Sequence, residues 1–288
     1  MYVLIRVRRM AAVLAAAAVL IGCGCVGTAA AIGSAGRKSE GVPLPIIMYH
    51  SVLREPKMQG KYVVSPQTLE SDLAWLNRNG FRTVVVQDLL DYADGVSDLP
   101  EKPVMLTFDD GYYNNYRYAY PLAKKYGVKI VVSPVGSYTD QYTGGDADHV
   151  SYSYLTWGEI AEMARSGTVE IQNHSYGLHS TSRRLGARKL GRESAADYKS
   201  MLRRDLSKMQ EEVLAHTGRA PTAFVYPFGA LSPESLPVLR ELGFRASLTC
   251  AERTNRIEKD PECLFGLGRY LRPAGVSSER FFRKIGLS

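Results

Sequence analysis

The chain of 288 residues is 45% hydrophobic, 23% charged and 10% aromatic, enough apolar material for a sizeable core, which excludes a disordered tail or a disulfide-scaffold peptide. Its 36 Lys and Arg against 29 Asp and Glu give a net charge of +7, of which Arg6, Arg8 and Arg9 carry three within a segment that has the look of a targeting signal. The remaining +4 falls short of a nucleic-acid-binding balance, and no RNP, helix-turn-helix or zinc-finger pattern occurs, so no nucleic-acid partner is expected.

Residues 1–26 combine that basic flank with the apolar run 10–22 and Cys23, the plan of an export signal or membrane anchor. The run is shorter than the roughly 20 apolar residues of a spanning helix, although residues 2–5 can extend it into an uncleaved anchor. Leu20-Ile21-Gly22-Cys23 resembles a bacterial lipobox and makes Cys23 a lipidation candidate, with an ordinary cleaved signal as the other possibility. The expected location is therefore outside the cytoplasm, secreted or held at the envelope. Residues 27–43, small and polar, are expected to form a flexible tether. Residues 44–288 then make one domain. Of its two cysteines, Cys250 and Cys263 can pair in an oxidising compartment or stay as separate thiols; they form no CxxC motif.

Along the domain, short apolar runs alternate with helix-like stretches. Strands are predicted at 46–49, 83–86, 104–108, 128–133, 169–172, 223–226 and 245–249, and helices at 66–78, 88–93, 116–126, 155–165, 193–216, 233–242 and 278–285. This repetition implies parallel strands joined by crossover helices, and about seven of them suit an α/β fold closed as a distorted (β/α) barrel. Gly80, Gly127, Gly167, Gly218 and Gly243 stand where helices should end before the next strand. Two segments interrupt the rhythm: the Gly/Asp/Tyr-rich 138–153, and 180–192 with five basic residues. Both follow strand ends, the face on which such folds carry their active-site loops.

Chemistry-bearing residues gather at these same ends. The strand Met105-Leu106-Thr107-Phe108 runs into Asp109-Asp110-Gly111, which alone is only an Asx-type turn. The strand around Ile171 leads to Asn173-His174-Ser175 and His179, so two of the chain's five histidines fall together. Two neutral imidazoles and one carboxylate are the protein ligands of a hydrolytic metal centre that keeps open positions for water and substrate. Tyr226-Pro227-Phe228-Gly229 forms a rigid turn whose backbone can aim an N–H into the same mouth, and the first strand ends in His50.

Over about residues 44–275 these motifs resemble the polysaccharide deacetylases with a NodB-type homology domain, and most of all the poly-N-acetylglucosamine deacetylase subgroup. The resemblance implies a distorted barrel and an N-acetylated polysaccharide as substrate. It implies Asp109 as general base and Asp110, His174 and His179 as metal ligands, holding Zn²⁺ or another divalent first-row transition ion. The five-residue spacing of the histidines, Met48-Tyr49-His50 and Tyr226-Pro227-Phe228-Gly229 fit the subgroup.

Two departures stand out. The family's motif arginine would fall where Val225 stands, and Arg219 is too far upstream to replace it; no histidine follows His216 to act as general acid. In a closed barrel the first and last strands are neighbours, so His50 becomes the candidate acid, with a buried structural histidine as its alternative. The resemblance then places the Phe228 backbone at the oxyanion and, with Tyr112, Tyr113 and Trp157, makes Tyr176 a candidate sugar-stacking residue; Trp157 equally suits packing at a helix entry, and Trp75 the core. Two rival readings are a non-haem iron oxygenase, whose ligand set is similar but usually sits on antiparallel β folds, and a non-catalytic carbohydrate-binding protein on the same fold, against which the second, metal-free carboxylate argues.

Overall fold

The computed structural model describes residues 41–145 and 148–288; the export segment, Cys23 and nearly all of the expected tether lie outside them. The described strands are β1 (Val42–Leu44), β2 (Ile46–Tyr49), β3 (Ser51–Val52), β4 (Val63–Val64), β5 (Arg82–Thr83), β6 (Pro103–Asp110), β7 (Ile130–Pro134), β8 (Val169–Ile171), β9 (Ala223–Val225), β10 (Ala246–Leu248), β11 (Asn255–Ile257) and β12 (Tyr270–Leu271). Between them lie α1 (Pro66–Arg78), α2 (Val86–Ala93), α3 (Tyr120–Tyr126), α4 (Gly136–Thr143), α5 (Trp157–Arg165), α6 (Ala195–Thr217), α7 (Ser235–Glu241) and the terminal α8 (Ser278–Lys284).

Parallel pairing runs β12-β2-β6-β7-β8, and β9 pairs with β10. The single bridges Asn173↔Phe224 and Leu248↔Leu267 carry the circuit across the two remaining gaps. Seven parallel strands therefore close a ring, distorted where only one bridge joins neighbours. β5 adds a short pairing at the amino end of β6.

The period-two alternation of the strands sorts the core into layers. Ile46, Met105, Val131, Val225 and Leu248 fill the barrel interior. Their neighbours Ile47, Leu106, Phe108, Ile130 and Val132 face outward and pack under Leu73, Leu76, Ile160 and Phe282 of the surrounding helices. The helices begin where side chains satisfy their first N–H groups: Ser65 accepts from Thr68 before α1, Thr156 and Glu159 form a reciprocal box at α5, and Ser194 and Ser277 cap α6 and α8. All five of the glycines expected at helix ends adopt positive φ.

Several local expectations are corrected. Val42 and Pro43, expected at the end of a tether, belong to β1, which pairs antiparallel with β11. Residues 84–86, expected as strand, lead into α2, with Asp88 accepting the Val85 N–H. Segment 138–153, expected to be irregular, begins with most of α4, whose Gly and Thr content hides the helical period and which buries only Gly136 and Thr139. Residues 250–277, where no strand is predicted, contain β11 and β12. No described helix is long and apolar enough to cross a membrane.

Candidate active site

At the carboxyl ends of the strands a cleft of about 480 Å³ is lined by His50, Asp109, Asp110, Tyr112, His174, His179 and Phe228, among others. Adjacent strand residues ordinarily face opposite sides, yet both carboxylates of Asp109-Asp110 line this one cleft. Asp110 achieves this by leaving the strand conformation for φ 69°. Ser175 (φ 73°) and Phe228 (φ 58°) are the other described non-glycine residues with positive φ, so the unfavourable backbone of the domain is concentrated at its chemical end. Asn173 supports the Ser175 turn, its Oδ1 accepting the Ser175 N–H at 2.8 Å.

Asp110, His174 and His179 bring one ligand atom each to within 4.8 Å of one another. His174 Nδ1 lies 2.8 Å from the Val225 carbonyl oxygen, which can only accept, so Nδ1 carries the proton and Nε2 is directed at Asp110 Oδ1, 3.3 Å away. His179 Nε2 stands 3.0 Å from the same oxygen. The Tyr138 hydroxyl, donating to the His179 carbonyl at 3.0 Å, ties this ligand to α4. A carboxylate oxygen facing two imidazole nitrogens in a buried pocket calls for a cation between them, so the donor set fits a divalent ion. Burial works against charge on both sides, but the contacts with the two histidines hold the Asp110 carboxyl far below the usual carboxylate range. At His174 burial likewise opposes charge, and Asp110 and Asp109 prevail to raise its pKa.

Asp109 is held apart from that set by Arg269. The guanidinium donates to Asp109 Oδ1 at 2.7 Å and to Thr107 Oγ1 at 3.2 Å, and its Nε donates to the Thr249 carbonyl at 2.9 Å. Arg269 is 0% exposed and Asp109 2%. Burial alone would raise the Asp109 pKa, but Arg269 and then His174 outweigh it and keep this carboxyl below its ordinary value. Arg269 sits just before β12 and is the residue that the sequence analysis missed. It supplies the positive charge absent at Val225. The available signal was the run Gly268-Arg269-Tyr270-Leu271-Arg272, two arginines around a short apolar strand that closes the barrel.

His50 follows β2 and is brought to the cleft by that closure, in which β12, and not the last predicted strand 245–249, pairs with β2. Its Nδ1 is buried without a hydrogen-bond partner. Burial lowers its pKa, opposed by Asp109 and Asp110. Immediately beneath, the buried Arg272 donates to both oxygens of Asp72 at 2.9 and 3.0 Å, and the Tyr49 hydroxyl donates to Asp72 at 2.9 Å, locking α1, β2 and the end of β12 together. A ring of Tyr62 lies edge-on to His50 at 5.0 Å.

Other expected site residues divide. Phe228 lies at the mouth, its ring 4.4 Å from that of His179, and Tyr112 lines the cleft. Pro227 and Gly229 form the turn that carries Phe228; a Cβ on Gly229 would meet the Cys250 backbone nitrogen at 2.7 Å, which explains the glycine. Tyr226 does not reach the cleft. Its side chain is buried among Phe224, Leu239 and Phe244, with its hydroxyl 2.6 Å from Ser235 Oγ, because it points from the barrel toward α7. Tyr176 is also absent from the cleft lining: its hydroxyl donates to Asp140 at 2.5 Å and Lys208 covers its ring, so α4 and α6 hold it away. Trp157 packs on His216 and donates to Asp140, and Trp75 is core, as their positions suggested. Cys250, at the cleft, and Cys263 are free thiols and not a pair.

Comparison with known proteins agrees with this architecture. A sequence profile described as polysaccharide deacetylase matches residues 97–247, just over half of the chain. The chain is 30% identical over 217 residues to the poly-beta-1,6-N-acetyl-D-glucosamine N-deacetylase of Escherichia coli K12, covering 69% of this chain and 32% of that protein, so it spans about a third of this relative's length. Among solved structures, a de-N-acetylase from Aggregatibacter actinomycetemcomitans superposes with a TM-score of 0.70 at 27% identity, covering 81% of this chain and 96% of the other. IcaB from Ammonifex degensii gives 0.67 at 28% identity, covering 82% and 94%. With the profile match and the seven-stranded barrel in agreement, this chain belongs to the polysaccharide deacetylase family.

Proposed function

We propose that the chain is a divalent-metal-dependent hydrolase that removes N-acetyl groups from an extracytoplasmic amino-sugar polymer. The observation that carries this is the division of two adjacent carboxylates: Asp110 faces His174 and His179, whereas Asp109 is kept off that set by Arg269. The names of the matched relatives support an N-acetylglucosamine polymer as substrate.

An amide is a poor electrophile with a poor leaving group, so hydrolysis needs a polarised carbonyl oxygen, a deprotonated water and a protonated nitrogen. A divalent ion held by Asp110, His174 and His179, best Zn²⁺ for imidazole and carboxylate donors, supplies Lewis acidity for the first two. Asp109 takes the proton of the attacking water; its depressed pKa keeps it ionised and ready. Water oxygen bonds to the acetyl carbon, the C–N bond breaks, and nitrogen leaves as the free amine with acetate as co-product. His50 is assigned the proton given to that nitrogen. Burial outweighs the pull of Asp109 and Asp110 and lowers its pKa, so the imidazolium is strongly acidic, and negative charge developing on the acetyl oxygen helps to hold it until the proton is given up. The backbone of the Phe228 turn is assigned to the oxyanion.

Export through residues 1–26, with Cys23 as lipid attachment or an uncleaved helix as anchor, would place this chemistry at the cell envelope. The test of function is acetate release from β-1,6-linked N-acetylglucosamine oligomers. Stoichiometric acetate and free amine, lost on chelation and restored by Zn²⁺, is the expected result; binding without acetate release would favour a non-catalytic carbohydrate protein.

A further inference from the structure

The loop 180–192 carries five positive charges and no negative one, whereas the described residues 41–145 and 148–288 contain cations and acids almost in balance. It leaves directly from His179. Its middle is anchored: Gly186, at φ 53°, packs so closely that a Cβ would lie 2.5 Å from the Pro227 carbonyl oxygen. The Lys189 N–H donates to Ser232 Oγ at 2.9 Å, and buried Tyr198 donates to the Ala187 carbonyl at 2.8 Å. Arg184 is neutralised by Glu193 through two hydrogen bonds, 2.6 and 2.9 Å. Arg183, Arg188 and Arg192 remain exposed, with no ion pair among the described residues.

These cations alternate with exposed Leu185 and Leu190, and the adjoining turn exposes Phe228 and Leu231. Apolar side chains beside cations on an anchored backbone match a pyranose strand, which presents C–H faces, provided that the strand also bears anions. A neutral amino-sugar polymer gains no ionic attraction from unpaired arginines, and each acetyl group removed would leave an ammonium that they repel. We propose that loop 180–192, with the 227–232 turn, is a docking rail for a carboxylate-bearing N-acetylated glycan, delivering it to the neighbouring cleft. This rests on the deacetylase function proposed above and adds to it a binding preference for strands that carry anions.

The test is calorimetric titration of the full chain with carboxymethyl chitin and with neutral glycol chitin. At about 50 mM salt the acidic polymer should bind about tenfold tighter, and the preference should collapse near about 500 mM, where screening shortens to a few ångströms. Arg183→Gln/Arg188→Gln/Arg192→Gln should abolish the preference while melting like the parent. Arg78→Gln/Lys124→Gln/Arg280→Gln, which removes equal charge elsewhere, should keep it. Equal affinity for both polymers, or equal loss in both triple variants, would overturn the proposal. So would loss of binding to phosphatidylglycerol vesicles in the first variant without any change toward the acidic glycan. Acetate release from the two polymers, followed in parallel, reports on the chemistry itself: its absence from both would refute the deacetylase function, whereas the binding comparison judges the rail independently.

Discussion

Replacing Arg269 by Met keeps much of its volume and removes the charge that faces Asp109. The pair is 2.7 Å apart with both partners buried, so the lost cation leaves a carboxylate without compensation in a low-dielectric site. Breaking such a pair costs about 3–5 kcal/mol. If about 3 kcal/mol of this falls on the ionised form of Asp109, then at about 1.4 kcal/mol per pH unit its pKa rises by about two units. The sign follows from the role: Asp109 works deprotonated, its folded pKa is depressed, and activity therefore persists down to acidic pH. In Arg269→Met the acid limb of kcat/KM should move up by about two units, toward neutrality. The stabilisation from the depressed pKa, present above the unfolded carboxylate value and lost as pH falls through the folded one, should vanish with it. Profiles of acetate release at saturating Zn²⁺, with metal content measured on the same samples, provide the assay. Arg269→Lys, which retains charge with poorer geometry, should return part of the shift. A uniform fall in rate with the acid limb unmoved would refute the argument and reduce Arg269 to a packing residue.

His50→Ala should depress amide hydrolysis by about 10² while sparing an activated acetyl ester, whose leaving group needs no proton; equal losses on both substrates with a lowered Tm would defeat the acid assignment. His174→Ala removes a ligand and should strip the metal, which elemental analysis of the purified variant would detect; full occupancy would exclude His174 from the site. Cys23→Ser should release the protein from the membrane fraction of cells if the lipobox-like motif is processed, and unchanged fractionation would favour an uncleaved amino-terminal segment as anchor.

The cleft end of the barrel was legible because its candidate ligands lie at or soon after strand ends: Leu106 to Phe108 announce Asp109 and Asp110, and Val169 to Ile171 precede His174 by three residues and His179 by eight. Alternation and helix-ending glycines also marked six of the seven ring strands, but 83–86 stood in for the unforeseen two-residue β12. Arg269 was hidden because a fully buried arginine beside a two-residue strand gives no hydrophobic period, and only the contact with Asp109, 160 positions away, reveals its purpose. Tyr226 and Tyr176 misled for a related reason. Adjacency to a motif fixes where the backbone goes, but side-chain direction depends on what α4, α6 and α7 offer on the far side, here Asp140 and Ser235. The left-handed backbone at Asp110 was equally illegible, although it is what turns two neighbouring carboxylates into the same cleft.

The division of labour between those carboxylates is tested most directly by comparing Asp109→Asn with Asp110→Asn, measuring bound metal and acetate release on the same preparations. Asp109→Asn should retain a full complement of metal with turnover lowered by about 10² or more, and Asp110→Asn should lose metal and activity together. Metal loss in Asp109→Asn with full occupancy in Asp110→Asn would contradict the account.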